Sequence, residues 1–113
     1  MKAHSIWMPF YTGDYMKDTI HLTNAEHGAY CRSIFYYWNK GEPLTSKELW
    51  SICGKEVDTV SAFYIEDKEN GLWHHRRIDE ELTKAVARFE SARERSLKGV
   101  SARLDKMRQR KQR

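Results

Sequence analysis

From Thr23 onward, apolar residues recur at helical spacing. Tyr30, Ile34, Tyr37 and Trp38 follow at intervals of four, three and one, with Cys31 and Phe35 alongside. This is a wide apolar face of an α-helix. Thr23 is a good N-cap, and Glu26 completes a capping box three residues later. Leu22 before the cap and His27 make only a half-apolar staple. Asn39 followed by Gly41 predicts the end. Gly28 sits inside this helix, where glycine costs about 1 kcal/mol relative to alanine, so close packing of another segment against that turn is expected. Thr45 and Glu48 form a second capping box, with Leu49, Trp50, Ile52 and Cys53 as the apolar side and Gly54 as the stop. Val57, Val60, Phe63 and Tyr64 mark a third, short helical segment.

The period then changes. Tyr64-Ile65-Glu66 and Leu72-Trp73-His74 flank a polar tip, Asp67 to Gly71, that contains Asn70-Gly71. An Asn-Gly pair between β-prone runs is a strong hairpin signal. From Ile78 the chain reads as one long helix. Ile78, Leu82, Val86 and Phe89 form one stretch of stripe and Leu97, Val100, Leu104 and Met107 another, with Ser91, Ala92 and Arg93 between them. Asp79, Glu80 and Glu81 near its start, and cations near its end, suit the helix dipole. Gly99 is a weak point, and the apolar-free run from Arg108 to Arg113 is expected to fray. Residues 4–22 are aromatic, and Pro9 and Gly13 argue against a regular element there. They are expected to lie across the core as an ordered strap.

The order of elements predicts a mainly α protein with a β-hairpin. The expected architecture is winged-helix-like, a helix-turn-helix plus wing, followed by a long C-terminal helix. Thr45–Gly54 is then the first helix of the motif and Lys55–Tyr64 the recognition-like one. Two parts are expected: residues 1–83 as the core with its aromatic strap, and residues 84–113 as a basic helical tail.

Composition sharpens this division. The 113 residues, 40% hydrophobic and with four Trp, six Tyr and four Phe, fit one domain plus an appendage whose stability is marginal without a partner. No run of eighteen apolar residues is present, which excludes a helical membrane span. No secretory signal is read at the start. Two cysteines, Cys31 and Cys53, are expected to be free and buried in a reducing, cytoplasmic compartment. Residues 1–83 carry nine Lys/Arg against thirteen Asp/Glu, a balance of −4. Residues 84–113 carry eleven against three, a balance of +8. An acidic body with a basic arm points to a polyanionic partner, although a solvated Arg-rich helix has the same composition.

Candidate chemistry is sparse. His27 and Cys31 share a helix face, and His74 and His75 are adjacent, but no CxxC or HxxxH pair accompanies them and neighbouring strand residues point to opposite faces. No metal site or cofactor is expected. GxGxxG, GxxxxGK[ST] and GxSxG are all missing, and no enzyme is expected. Asp14, Asp18 and Glu26, near His21 and His27, read as caps and hydrogen-bond partners that lock the strap onto the first helix. Trp73, His74, His75, Arg76 and Arg77 suit phosphate contact. Equally, Trp73 belongs to the core and the arginines pair with Glu80 and Glu81. The recognition-like helix carries Lys55, Glu56 and Asp58 and no arginine, poor material for a DNA groove. Electrostatic attachment is therefore assigned first to the tail. The candidate DNA-binding residues are Arg76, Arg77, Arg88, Arg93, Arg95, Lys98, Arg103, Lys106, Arg108, Arg110 and Lys111. The apolar stripe Leu97 to Met107 is a homodimer seam, a surface that packs on the body, or a replisome docking face.

Several blocks together carry a resemblance. They are Pro9-Phe10-Tyr11, Gly13-Asp14-Tyr15, Asp18-Thr19, His21-Leu22-Thr23, Glu26 to Tyr30, Gly41 with Pro43-Leu44, and Gly71 to Leu82. In order and spacing the chain resembles the YdaU/DUF1376 family of phage and prophage proteins over roughly residues 7–95. The resemblance implies a winged-helix-like module of replication-initiation or replisome-organiser proteins, without enzymatic activity. The chain departs from the family between Gly54 and Phe63, which is shorter here and puts sequence-specific groove reading in doubt. Set beside the family, it is also expected to be without the longer C-terminal region of many members. The expected function is a DNA-binding accessory protein of phage replication, binding the phosphate backbone with little sequence preference. The alternatives are a protein-interaction adaptor and a transcription regulator.

Overall fold

The computed structural model describes residues 7–111. The chain runs through α1 (Thr12–Thr19), α2 (Asn24–Lys40), α3 (Ser46–Cys53), a single 3₁₀ turn (Gly54–Glu56), α4 (Val57–Ser61), β1 (Ile65–Asp67), β2 (Leu72–His74) and α5 (Arg76–Lys111). It is mainly helical, with a two-stranded antiparallel hairpin and a long C-terminal helix.

Both capping boxes form. The Thr23 hydroxyl accepts the Glu26 N–H at 3.1 Å while the Glu26 carboxylate accepts the Thr23 N–H at 2.8 Å. Thr45 and Glu48 repeat this at 3.1 and 3.0 Å. Glu48 also receives Lys40 Nζ at 2.6 Å and the Tyr36 hydroxyl at 2.7 Å. Burial alone would raise its carboxyl, but these donors together outweigh burial and hold it at about 2. α2 ends at Gly41, whose φ of 72° is the left-handed conformation that glycine adopts freely.

The N-terminal segment corrects the expectation of an irregular strap. Thr12–Thr19 is helical, because the two breakers lie at its edge. Pro9 precedes the helix, and Gly13 sits in the first turn, where the N–H groups have no intrahelical partner anyway. The short helical segment expected to reach Tyr64 stops at Ser61. Phe63 and Tyr64 donate to the Val60 and Ser61 carbonyls in tight turns that swing the chain into β1. The hairpin register pairs Ile65 with His74, Glu66 with Trp73 and Asp67 with Leu72, one residue later on the first strand than expected. Leu44, between α2 and α3, forms a bridge with Trp73.

The core lies between α2, α3, α4 and the first third of α5. Ile34, Tyr37, Trp38, Leu44, Leu49, Val60, Ile78 and Leu82 are all buried. Its polar groups are paired. Tyr64 Oη donates to Ser33 Oγ at 2.8 Å, and Ser33 donates to the Tyr30 carbonyl at 2.7 Å. Among the described residues, no buried side-chain nitrogen or oxygen lacks a partner. Cys53 is buried as expected, but Cys31 is only half-buried and meets Tyr15 Oη at 3.0 Å.

α5 begins two residues before Ile78 because His75 caps it. His75 Nδ1 accepts the Ile78 N–H at 3.3 Å. The neutral ring therefore carries its proton on Nε2, which faces Tyr30 Oη at 2.7 Å. Burial pushes this imidazole down to about 4, and a cation there would also oppose the positive end of the α5 dipole. Tyr37 Oη donates to Asp79 one turn later.

Two measurements check these features. A Cβ placed at Gly28 meets nothing within 4 Å, so no segment packs closely there. Gly28→Ala should raise stability by about 0.5–1 kcal/mol in a urea titration. For His75, the folded state holds the imidazole below its ordinary value. The unfolded chain therefore binds a proton first, and stability present above pH 6.5 is lost as pH falls toward 4. The loss should approach about 3 kcal/mol. His75→Asn keeps a capping acceptor and cannot titrate, so its pH–stability curve should be flatter over that window than that of the parent.

Candidate nucleic-acid interface

The first ten residues of α5 are anchored on the body through Ile78, Leu82 and Ala85. The same face then continues into solvent as Phe89, Leu97, Val100, Leu104 and Met107, all exposed. The line drawn between residues 83 and 84 thus falls within one continuous helix. Lys84, Arg88, Arg95 and Lys106 are separated by four, seven and eleven residues, spacings that return to one side of a helix. That side borders the apolar stripe at Lys84 and Arg88, which line a cleft with Ala85 and Phe89, and faces away from it along Leu97 to Met107. From Lys84 to Lys106 it extends about 33 Å at 1.5 Å per residue.

The candidate cations divide into three groups. Arg88, Arg93, Arg95, Lys98, Arg103, Lys106 and Arg108 are exposed, and none makes an ion pair among the described residues. Arg103 touches only the Gly99 carbonyl of its own helix. Arg76 is exposed, with a long i,i+4 contact of 3.5 Å to Glu80, a pair of the kind that adds little in water. Arg77 is engaged inside the molecule. It donates to Asp14 at 2.8 Å and lies over the Tyr11 ring at 4.7 Å, and the hydrogen bond to Asp14 raises it above the ordinary guanidinium value. Arg77 therefore ties α1 and the strap to α5. The side chains of Arg110 and Lys111 lie outside the described residues.

The basic-aromatic cluster of the wing does not face outward as a unit. Trp73 is half-buried against the core, with Nε1 donating to Ser46 at 2.9 Å. His74 pairs with Asp79 at 3.2 Å, and His75 is the buried cap. Of the five residues, Arg76 alone combines exposure with a charge left to solvent apart from its long contact with Glu80. The acids near His21 and His27 act at separate places. Asp14 holds Arg77, and Glu26 caps α2 and accepts from Thr59 at 2.8 Å. The strap is instead joined to α2 by Tyr15, which hydrogen-bonds to His27 Nδ1 and Cys31.

One feature was not read from the sequence. The strap, α1 and the start of α5 enclose a cleft of about 650 Å³ walled by Phe10, Tyr11 and Tyr15 and edged by Arg76, Glu81 and Lys84. The aromatic crowding near the N-terminus was its signal. The missing information was the pairing of Asp14 with Arg77, sixty-three residues apart. No helix of the described residues is long and apolar enough to cross a membrane.

The matches to known proteins fall mainly on the body. Over 83 residues the chain is 35% identical to the uncharacterized protein YdaU of Escherichia coli (strain K12). The match covers 67% of this chain, and the chain spans only 28% of the length of that relative. No solved structure matches. The profile of DUF1376, a protein family of unknown function, matches residues 6–83, from the strap through the anchored start of α5. On that match and that identity, the chain belongs to the DUF1376 family.

Proposed function

We propose that this protein is a DNA-binding accessory protein whose α5 grips the phosphate backbone and whose body orients it. One observation carries the reading: seven exposed α5 cations, Arg88 to Arg108, make no ion pair among the described residues and outnumber the acids Glu90, Glu94 and Asp105 on their stretch of helix, while the body carries the opposite charge. Cations held in a row along a helix displace condensed counterions from a polyanion, and that release drives binding without reading sequence. The phage or prophage setting, and a role in replication, are what the family resemblance implies.

The body supports a winged-helix-like reading. A helix, a bridging residue at Leu44, two short helices and a hairpin follow in order, with Leu44 beside Trp73 of the wing. The helix in the recognition position is only five residues long and contains Asp58 and no cation. That composition favours backbone attachment over groove reading. A transcription regulator is correspondingly less well supported.

A second reading, a protein-docking adaptor, is favoured by the stripe Leu97, Val100, Leu104 and Met107, exposed on the side of α5 opposite Arg95 and Lys106. A homodimer through the same stripe would set +8 against +8, so an acidic partner fits the stripe better than a second copy.

Duplex binding followed by fluorescence anisotropy should weaken steeply with salt. About five phosphate contacts give a slope of roughly −4 to −5 in log K against log salt. Replacing Arg88, Arg95 and Lys106 together by Gln, a comparable helix former, should flatten the slope by about 2–3 and cost at least roughly tenfold in affinity. A slope unaffected by this triple change, or no binding at low salt, would refute the reading.

A further inference from the structure

Phosphate contacts leave the cleft beside α5 unexplained. Its volume of about 650 Å³ lies within the range of small-ligand sites. Phe10 and Tyr11 form one wall and are 37% and 49% exposed, a large aromatic area left open to water. Behind them Tyr15 stacks parallel to Tyr30, with centroids 5.9 Å apart and planes 8° apart. Arg76 and Lys84 stand at the edge with side chains 83% and 62% exposed. Glu81 lines the same cleft with its side chain only 10% exposed. It accepts no hydrogen bond from any described residue, and its one ion pair, to Lys84 Nζ, is 3.7 Å long. Its carboxylate thus has room to accept a short, charge-assisted hydrogen bond from a donor that enters the cleft.

One ligand chemistry meets all three features: a flat ring that stacks, an edge bearing N–H donors, and an attached anion. Resting on the reading that the protein binds DNA, we propose that the cleft takes one unstacked nucleobase of a single-stranded stretch. The ring lies against Phe10 and Tyr11. An exocyclic amine or ring N–H donates to Glu81. The flanking phosphates meet Arg76 and Lys84 and pass on to Arg88. Every base has a π-face and at least one N–H on its pairing edge, so the site tolerates sequence. A base within a duplex offers neither, since its faces are stacked and its edge is paired. The cleft therefore adds a preference for single strands to the strand-indifferent attraction of α5.

The test uses the full chain and an oligonucleotide of about 16 nucleotides, as single strand and as duplex, at matched salt. The single strand should bind about tenfold more tightly. Phe10→Leu, which removes the ring face, and Glu81→Gln, which keeps shape and removes the charged acceptor, should each reduce that preference several-fold. Duplex affinity should stay unchanged, which also reports that each variant is folded. Excess deoxynucleoside monophosphate should compete away the single-strand preference if a lone nucleotide suffices. Its failure to do so, with the preference otherwise intact, assigns the site to a base carried within a strand. Equal binding of the two forms by the parent, or a preference that survives both substitutions, overturns the cleft while leaving DNA binding in place. Binding of neither form at low salt overturns both.

Discussion

A neutral imidazole decides where the long helix points. His75 accepts the Ile78 N–H in the first turn of α5 through Nδ1 and meets Tyr30 of α2 through Nε2. The Tyr64 ring packs edge-on at 5.2 Å. Either bond lost would leave a polar group stranded in the core, a cost of about 1–3 kcal/mol. Protonation would place a charge in apolar surroundings at the wrong end of a helix dipole. Tyr37 to Asp79 and Arg77 to Asp14 add two further ties along the first turn. Three bonds, two from α2 and one from α1, thus fix the start of α5. The last buried residue of α5 is Ala85, and Arg88 and Phe89 still line a cleft with Pro9 and Phe10, so the placement of the exposed cations farther along follows from this anchored start.

The same geometry explains why the wing arginines act differently. Arg76 and Arg77 are neighbours in sequence, yet they leave the helix about 100° apart. Arg77 turns toward α1, where a carboxylate and an aromatic ring hold it together. Arg76 turns to water. One of the pair is a strut of the fold and the other remains available for an anion.

What the sequence made legible was local. The capping boxes at Thr23 and Thr45, the left-handed stop at Gly41 and the hairpin at Asn70-Gly71 all depend on residues a few positions apart, and each forms. The misreadings have equally local causes. α1 was hidden because Pro9 and Gly13 were weighed as interior breakers although they stand at a helix edge. Gly28 suggested a close neighbour, but the space above it is open. The candidate interface was legible as a gathering of charge in residues 84–113. Its partition into free cations and an internal strut was not, because that depends on Asp14 meeting Arg77 across most of the chain. The cleft was out of reach for the same reason. Its aromatic wall and its acidic edge belong to opposite ends of the sequence and meet only once His75 has oriented α5.

Charge and shape therefore serve different ends in this molecule. In the function proposed, the cations of α5 meet a polymer whose charge is the same whatever its sequence, so they would supply attraction and no discrimination. Salt erases that attraction, since it rests on counterion release. Stacking on Phe10 and Tyr11 and a donor bond to Glu81, as proposed, would depend far less on ionic strength, because they involve desolvated rings and a short-range contact. On this proposal total affinity would fall as salt rises, while the contrast between an open strand and a paired one would persist. An acidic body suits the proposed division: it would disfavour broad adhesion of the core to duplex DNA and leave contact to the helix and to the cleft where the Glu81 carboxylate has something to gain from a base.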